Sequence, residues 1–167
     1  MAIQDVLLYP NKVLRQDCSD VAEFDTEEFY HLILNMVDTL ASYKALGLAA
    51  PQIGIPKRIF VTNVDNQPLF FINPRVVRAE GSITKKEGCL SFPNVFQRVE
   101  RFAEITIDAI DPTGAEFRAQ LDGMDAVAAQ HEYDHLGGVL FIDHVSPLER
   151  KMMVKKLSKF KKKYNIK

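Results

Sequence analysis

Apolar residues recur three or four positions apart after Asp25, at Phe29, Leu32, Ile33, Met36, Val37 and Leu40, which is the stripe of an amphipathic helix. Asp25 with Glu28 offers a capping pair at its start. The stretch Gly47 to Pro56 has no period and reads as a turn-rich loop. Beyond it, Arg58–Val64, Pro68–Asn73 and Val76–Thr84 are short and rich in β-formers, which predicts strands. Arg101–Ile110 alternates apolar and polar residues, Asp111–Gly114 (DPTG) is a turn, and Glu116–Leu121 returns, which predicts an antiparallel hairpin. A second helix is expected from about Gly123 to Leu136, stopped by Gly137 and Gly138, with a short apolar strand over Val139–Ile142. A third starts at Ser146, which forms a capping box with Glu149 and has Pro147 at the first helical position. Strands surrounding separated helices predict an α+β domain and argue against a doubly wound sheet.

Composition fits this picture. With 167 residues, 47% hydrophobic and 26% charged, the chain can build one globular core without repeats or a linker. No apolar run approaches the roughly 18 residues of a membrane span, and MAIQDVLLYP lacks a secretory pattern, so a cytoplasmic protein with no membrane partner is expected. Cys18 and Cys89 are then expected to be reduced thiols. The formal charge of −1 hides an asymmetry: nine of the 21 basic residues lie between Arg150 and Lys167 with no acid among them, leaving twelve against 22 acids elsewhere, a charge of −10. Within this tail Leu148, Met152, Leu157, Phe160 and Tyr164 keep a helix-like spacing, so one face can dock while lysines cover the rest. A solvated lysine face is the default reading, and a salt-sensitive contact with RNA phosphates is the sharper one. Without aromatic interleaving for base stacking, sequence-specific RNA reading is not expected, and no DNA partner is expected.

The chemistry concentrates in His131-Glu132-Tyr133-Asp134-His135, inside the second helix. Residues i and i+4 share a helix face about 6 Å apart, so both imidazoles can ligate one divalent metal while Glu132 reaches its water. The same pentapeptide also arises by chance among surface residues. A catalytic site of this type needs a third protein ligand. The extended zinc-protease pattern places a histidine where this chain has Phe141, so that ligand is missing. Glu149 is better explained as a helix cap, and His31 and His144 read as structural or solvent-facing. Cys89, in Glu87-Gly88-Cys89-Leu90-Ser91, supplies a soft thiolate and completes a Cys-His-His set, although alone it reads equally as a core thiol. In Gly47-Leu48-Ala49-Ala50-Pro51-Gln52, small residues suit close approach to a ligand and Gln52 offers an amide donor to an oxyanion. Met124, Val127, Ala128 and His131 fall on one helix face, an apolar strip that runs into the metal set. Glu87 is positioned to brace the cysteine segment by pairing with Arg101.

GLAAPQ at 47–52, EGCLS at 87–91 and HEYDH at 131–135, in that order, resemble the three signature segments of the peptide deformylase family. The resemblance spans most of the chain, with one departure: Ala45 stands where the family loop usually begins with glycine, which would stiffen the loop or narrow the cleft. It implies antiparallel sheets around a central metal-binding HExxH helix, with helices toward either end. It implies a hydrolase that removes the formyl group from the formyl-methionine of nascent peptides and releases formate. Cys89, His131 and His135 would hold the metal, whose hydroxide attacks the formyl carbon with Glu132 as general base and then acid. Leu90, through its backbone N–H, and the Gln52 amide would stabilise the oxyanion. Gly47 with Met124, Val127 and Ala128 would contact substrate. The resemblance favours Fe(II), with Zn or Ni able to occupy the site. It divides the chain into a catalytic domain over 1–146 and a basic helix over 147–167 able to touch the ribosome near emerging chains. Two other readings remain at this point: an endopeptidase built on the same helix, and a non-catalytic RNA-binding module with a structural metal.

Overall fold

The periodic segment forms helix α1 (Glu27–Tyr43), with Phe29, Met36 and Leu40 buried and Leu32, Ile33 and Val37 packed against them. Its cap falls one residue later than expected, because the Thr26 hydroxyl accepts the Phe29 N–H at 3.2 Å while Asp25 accepts a hydrogen bond from the Tyr30 hydroxyl at 3.2 Å. This is a computed structural model, and it describes residues 3–166; Met1, Ala2 and Lys167, the last residue of the basic tail, lie outside the described residues.

Seven strands follow: β1 (Gly47–Ala49), β2 (Ile59–Thr62), β3 (Leu69–Glu80), β4 (Ile83–Cys89), β5 (Phe92–Arg101), β6 (Glu104–Ile110) and β7 (Glu116–Asp122). All pairs are antiparallel, giving a five-stranded sheet in the order β1-β2-β3-β6-β7 and a separate β4-β5 hairpin. The continuous apolar runs of β1 and β2 have a simple cause, since the sheet is covered on both faces at this end. Leu48, Ile59, Val61, Phe70 and Ile72 pack with α1. Ala49, Phe60, Phe71, Ile105 and Ile107 pack with helix α2 (Gly123–Leu136), where alanines at 126 and 129 allow close approach and the Phe60 and Phe71 rings stack at 4.6 Å.

Several expectations change here. Part of the turn-rich loop, Gly47–Ala49, pairs with β2 as a short strand. The two segments 68–73 and 76–84 are not separate strands: β3 runs through both and stops before Gly81, whose φ of 67° turns the chain into β4. Around Asn73 and Pro74 the register of β3 shifts as it passes from pairing mainly with β2 to pairing with β6, and the Asn73 side chain ties this bulge to both backbone groups of Val21. Arg101 closes β5 and does not open the 104–110 hairpin. The expected strand at 139–142 is instead a 3-10 turn over Phe141–Asp143, because the Asp143 carboxylate folds back to accept the Leu140 N–H at 2.8 Å.

Helix α3 (Pro147–Lys163) begins at Ser146, with its capping box to Glu149 formed as expected. Its buried contacts are Met153 and Leu157, packed with Phe92, Val95, Val99 and Phe141, whereas Leu148 and Met152 are exposed. Leu157 docks as expected, whereas one turn earlier Met153 is buried against the core in place of Met152. A Phe160–Tyr164 ring pair at 4.7 Å lies among the lysines, so aromatic groups are present on this face after all. No helix among the described residues is long and apolar enough to cross a membrane.

The end of α2 is fixed by Gly138, which has φ 67° and lies so close to Arg15 that an added Cβ would be 2.7 Å from its backbone carbonyl. Arg15 in turn donates to the Gly138 carbonyl at 3.0 Å and pairs with Asp143. Gly138→Ala combines left-handed strain with overpacking and should cost about 2–4 kcal/mol in chemical denaturation. A loss under about 0.5 kcal/mol, the level of an ordinary surface change, would contradict this packing.

Candidate metal and catalytic centre

A thiol from the β4-β5 hairpin meets two histidines of α2 where the hairpin approaches the helix. Cys89 ends β4, immediately before the Leu90–Ser91 turn, and its Sγ lies 3.5 Å from His135 Nε2. One ligand atom each from Cys89, His131 and His135 can be chosen so that all lie within 4.8 Å of one another. That is a separation a single divalent ion can bridge, and one thiolate with two imidazoles is a donor set suited to Fe(II), Zn or Ni.

The polar atoms around these donors support the same fit. His131 uses Nδ1 against Glu87 Oε2 at 2.8 Å, leaving Nε2 as the ligand atom. Glu87 is gripped from its other side by Arg101, at 2.8 and 3.0 Å, so the expected Glu87–Arg101 brace is present and extends one step further, to the histidine. Arg101 also pairs with Asp134, which bonds His144 Nε2 at 2.7 Å. Sequence reasoning missed the Glu87–His131 bond and the role of Asp134, while His144, read as structural or solvent-facing, is the partner of Asp134. Glu87 and Cys89 stand two apart, the spacing of one strand face, which was a usable signal. The approach of Asp134 and His144 to Arg101 depends on tertiary structure alone. His31 is exposed, as expected, with its Nε2 3.9 Å from a Glu27 carboxylate oxygen one turn earlier.

Glu132 is buried beside the donors, and burial is the main reason its carboxyl is pushed up to about 7. Its Oε2 and His135 Nδ1 are buried without a hydrogen-bond partner among the described residues. Gly47 makes the room: a Cβ there would lie 2.5 Å from Glu132 Oε1, so no larger residue fits opposite this carboxylate. The loop that carries Gly47 also fixes Gln52. Its Oε1 accepts the Ala49 N–H at 2.8 Å, which turns Nε2 toward Ser91 Oγ at 3.3 Å and Cys89 Sγ at 3.6 Å.

These groups open into a cleft of about 500 Å³. Its lining brings together Gly47, Gln52, Cys89, Leu90, Met124, Val127, Ala128, His131 and Glu132, and Ala45 lies on its wall with its methyl packed toward the α1 core. His135 lies behind this lining, 2% exposed. A cleft with an apolar strip at one end, a metal-type donor triad, a buried carboxyl and an amide donor can hydrolyse an amide bond with a metal's help.

Burial alone would raise the Glu87 carboxyl, but His131 and Arg101 outweigh it and hold it near 2, below the usual 4.5. Its contribution to stability is therefore complete above about pH 4.5 and lost as the pH falls toward 2. Glu87→Gln should lower stability on the order of 3 kcal/mol at pH 7, and the gap from wild type should shrink in urea titrations below pH 4. An equal gap at both pH values would contradict the buried pairing.

The comparisons agree with this geometry. Residues 3–151 match the model of the family described as polypeptide deformylase. Peptide deformylases of Rhizobium meliloti and Pelagibacter ubique are each 42% identical to the chain, over 95% of this chain and 94% of the first relative, and over 96% of each for the second. A crystal structure of a peptide deformylase from Legionella pneumophila superposes with a TM-score of 0.94 at 38% identity, covering 99% of both chains. On fold, donor set and similarity along nearly its whole length, the chain belongs to the peptide deformylase family of enzymes.

Proposed function

We propose that this cleft removes the formyl group from the N-terminal formyl-methionine of newly made polypeptides and releases formate. The observation that carries the proposal is the meeting of Cys89, His131 and His135 beside a buried Glu132, at the end of an apolar strip. Cys89, His131 and His135 would hold one divalent ion, Fe(II) natively with Zn or Ni as substitutes, which when bound acidifies a water and polarises the formyl oxygen. Glu132, whose carboxyl pKa burial raises above its ordinary value, accepts the proton of the attacking water and passes it to the leaving amine. Gln52, its oxygen already committed to Ala49, offers Nε2 to the negative charge that grows on the formyl oxygen, and the Leu90 backbone N–H is the second donor. Met124, Val127 and Ala128 receive the methionine side chain, and Gly47 lets the peptide backbone and Glu132 approach together.

The endopeptidase reading loses support because Phe141, at the position of the missing histidine, is 2% exposed in the core. We further take residues 1–146 as the catalytic domain, working in the cytoplasm, and 147–167 as a basic segment, helical over Pro147–Lys163, that contacts ribosomal RNA. Lys156, Lys159 and Lys163 share one face of α3 with Phe160 and Tyr164, which favours phosphate contact.

Formate release from formyl-Met-Ala tests the reaction. Glu132→Ala should lose nearly all activity while metal analysis shows the ion retained, and Gln52→Ala should lower kcat about a hundredfold. Undiminished turnover by Glu132→Ala would overturn the mechanism. For the tail, reversing Lys156, Lys159 and Lys163 to Glu should abolish low-salt ribosome co-sedimentation while leaving the Met153 and Leu157 packing in place. Unchanged co-sedimentation would refute the contact.

A further inference from the structure

The lip of the cleft has a charge character that the reaction itself does not require. Of the charged side chains that line it, Glu87 and Glu132 are buried at the centre, and Glu87 is already paired. The two that reach solvent, Lys44 and Lys86, are both cationic. They come from different elements. Lys44 follows α1 in a left-handed conformation, φ 50°, with its N–H bonded to the Leu40 and Ala41 carbonyls, so the helix end fixes where it stands. Lys86 lies on β4 with its ammonium 5.2 Å from the Phe96 ring centroid, a cation–π contact that holds the charge at the rim. Phe96 itself is seated over Gly88, where any Cβ would come within 2.7 Å of the ring. Neither lysine has an ion-pair partner among the described residues.

We infer that Lys44 and Lys86 select acidic side chains in the residues that follow formyl-methionine, an inference that rests on the deformylase reading of the cleft. With the methionine side chain on the Met124–Val127–Ala128 strip, the formyl group is at the centre, and the rest of the peptide must leave past the lip. There it crosses Asn94 and Phe96, which also border the lysine face of α3. A carboxylate in the first few residues meets two unpaired ammonium groups, whereas a lysine or arginine meets like charge. The body of the chain is acidic overall, so these two lysines set the lip apart in charge from the rest of the body. Exposed pairs are individually weak, about two- to fivefold each, and are screened within about 8–10 Å by salt.

The test is kcat/KM for formate release from formyl-Met-Ala-Ser, formyl-Met-Glu-Ser and formyl-Met-Lys-Ser with the metal-loaded enzyme at low salt. The acidic peptide should be favoured over the basic one about tenfold, mainly through KM, and the ratio should collapse in 0.5 M salt, where screening is short-ranged. Lys44→Glu and Lys86→Glu should each lower the ratio, and the double variant should invert it. Lys85→Glu, an exposed neighbour on β4 outside the cleft lining, should not. Equal kcat/KM for acidic and basic peptides, or a preference that survives the double reversal, overturns the inference while normal turnover of the neutral peptide leaves the deformylase reading intact. No turnover of the neutral peptide overturns both.

Discussion

Five ionisable side chains, Glu87, Arg101, His131, Glu132 and His135, are buried within one small region, each less than a tenth exposed. Burying charge without compensation costs several kcal/mol per ion, so this cluster is the constraint that the surrounding fold must satisfy. Arg101 and His131 grip Glu87 from two sides and join the hairpin to α2. Asp134 and His144 extend the chain of pairs behind the helix. What stays uncompensated points to function: a Glu132 oxygen and a His135 nitrogen without partners among the described residues, beside a thiol.

The sheet and helices serve that cluster. α2 carries little apolar surface of its own, and its alanines let it sit tightly against Phe60 and Phe71, which holds His131, Glu132 and His135 at a fixed depth. From the other side α3 and the Phe141 turn press on β5, which fixes the hairpin that ends in Cys89. Gly47 on β1 then sets the clearance to Glu132. A rigid frame of this kind brings a thiol from the hairpin and two imidazoles from one helix together on regular elements.

Much of this was legible in the sequence because it is local. The period of α1, the extent of α2 between Gly123 and Leu136, the Ser146 box and the Glu116 hairpin all follow from spacing and caps. The i, i+4 histidines and the Cys89, Gln52 and Gly47 segments were recognisable because short-range motifs bear the chemistry. What escaped was non-local. The β4-β5 hairpin was hidden because Lys85, Lys86 and Gly88 blur its alternation, and β3 was split because Asn73-Pro74 looks like a terminus when it is a bulge between two partners. The α3 stripe was right at Leu157 and wrong one turn earlier, because Met152 and Met153 are equivalent until the hairpin chooses one. The Glu87–His131 bond and the two lysines at the lip likewise needed the third dimension.

Cys89, His131 and His135 are placed by the buried cluster so that one divalent ion can sit between them. Metal content per chain after anaerobic purification, compared between wild type and Cys89→Ala, tests it most directly. The account predicts one equivalent of Fe, Zn or Ni in wild type and substantial loss in the variant. A variant that keeps a full equivalent would contradict it.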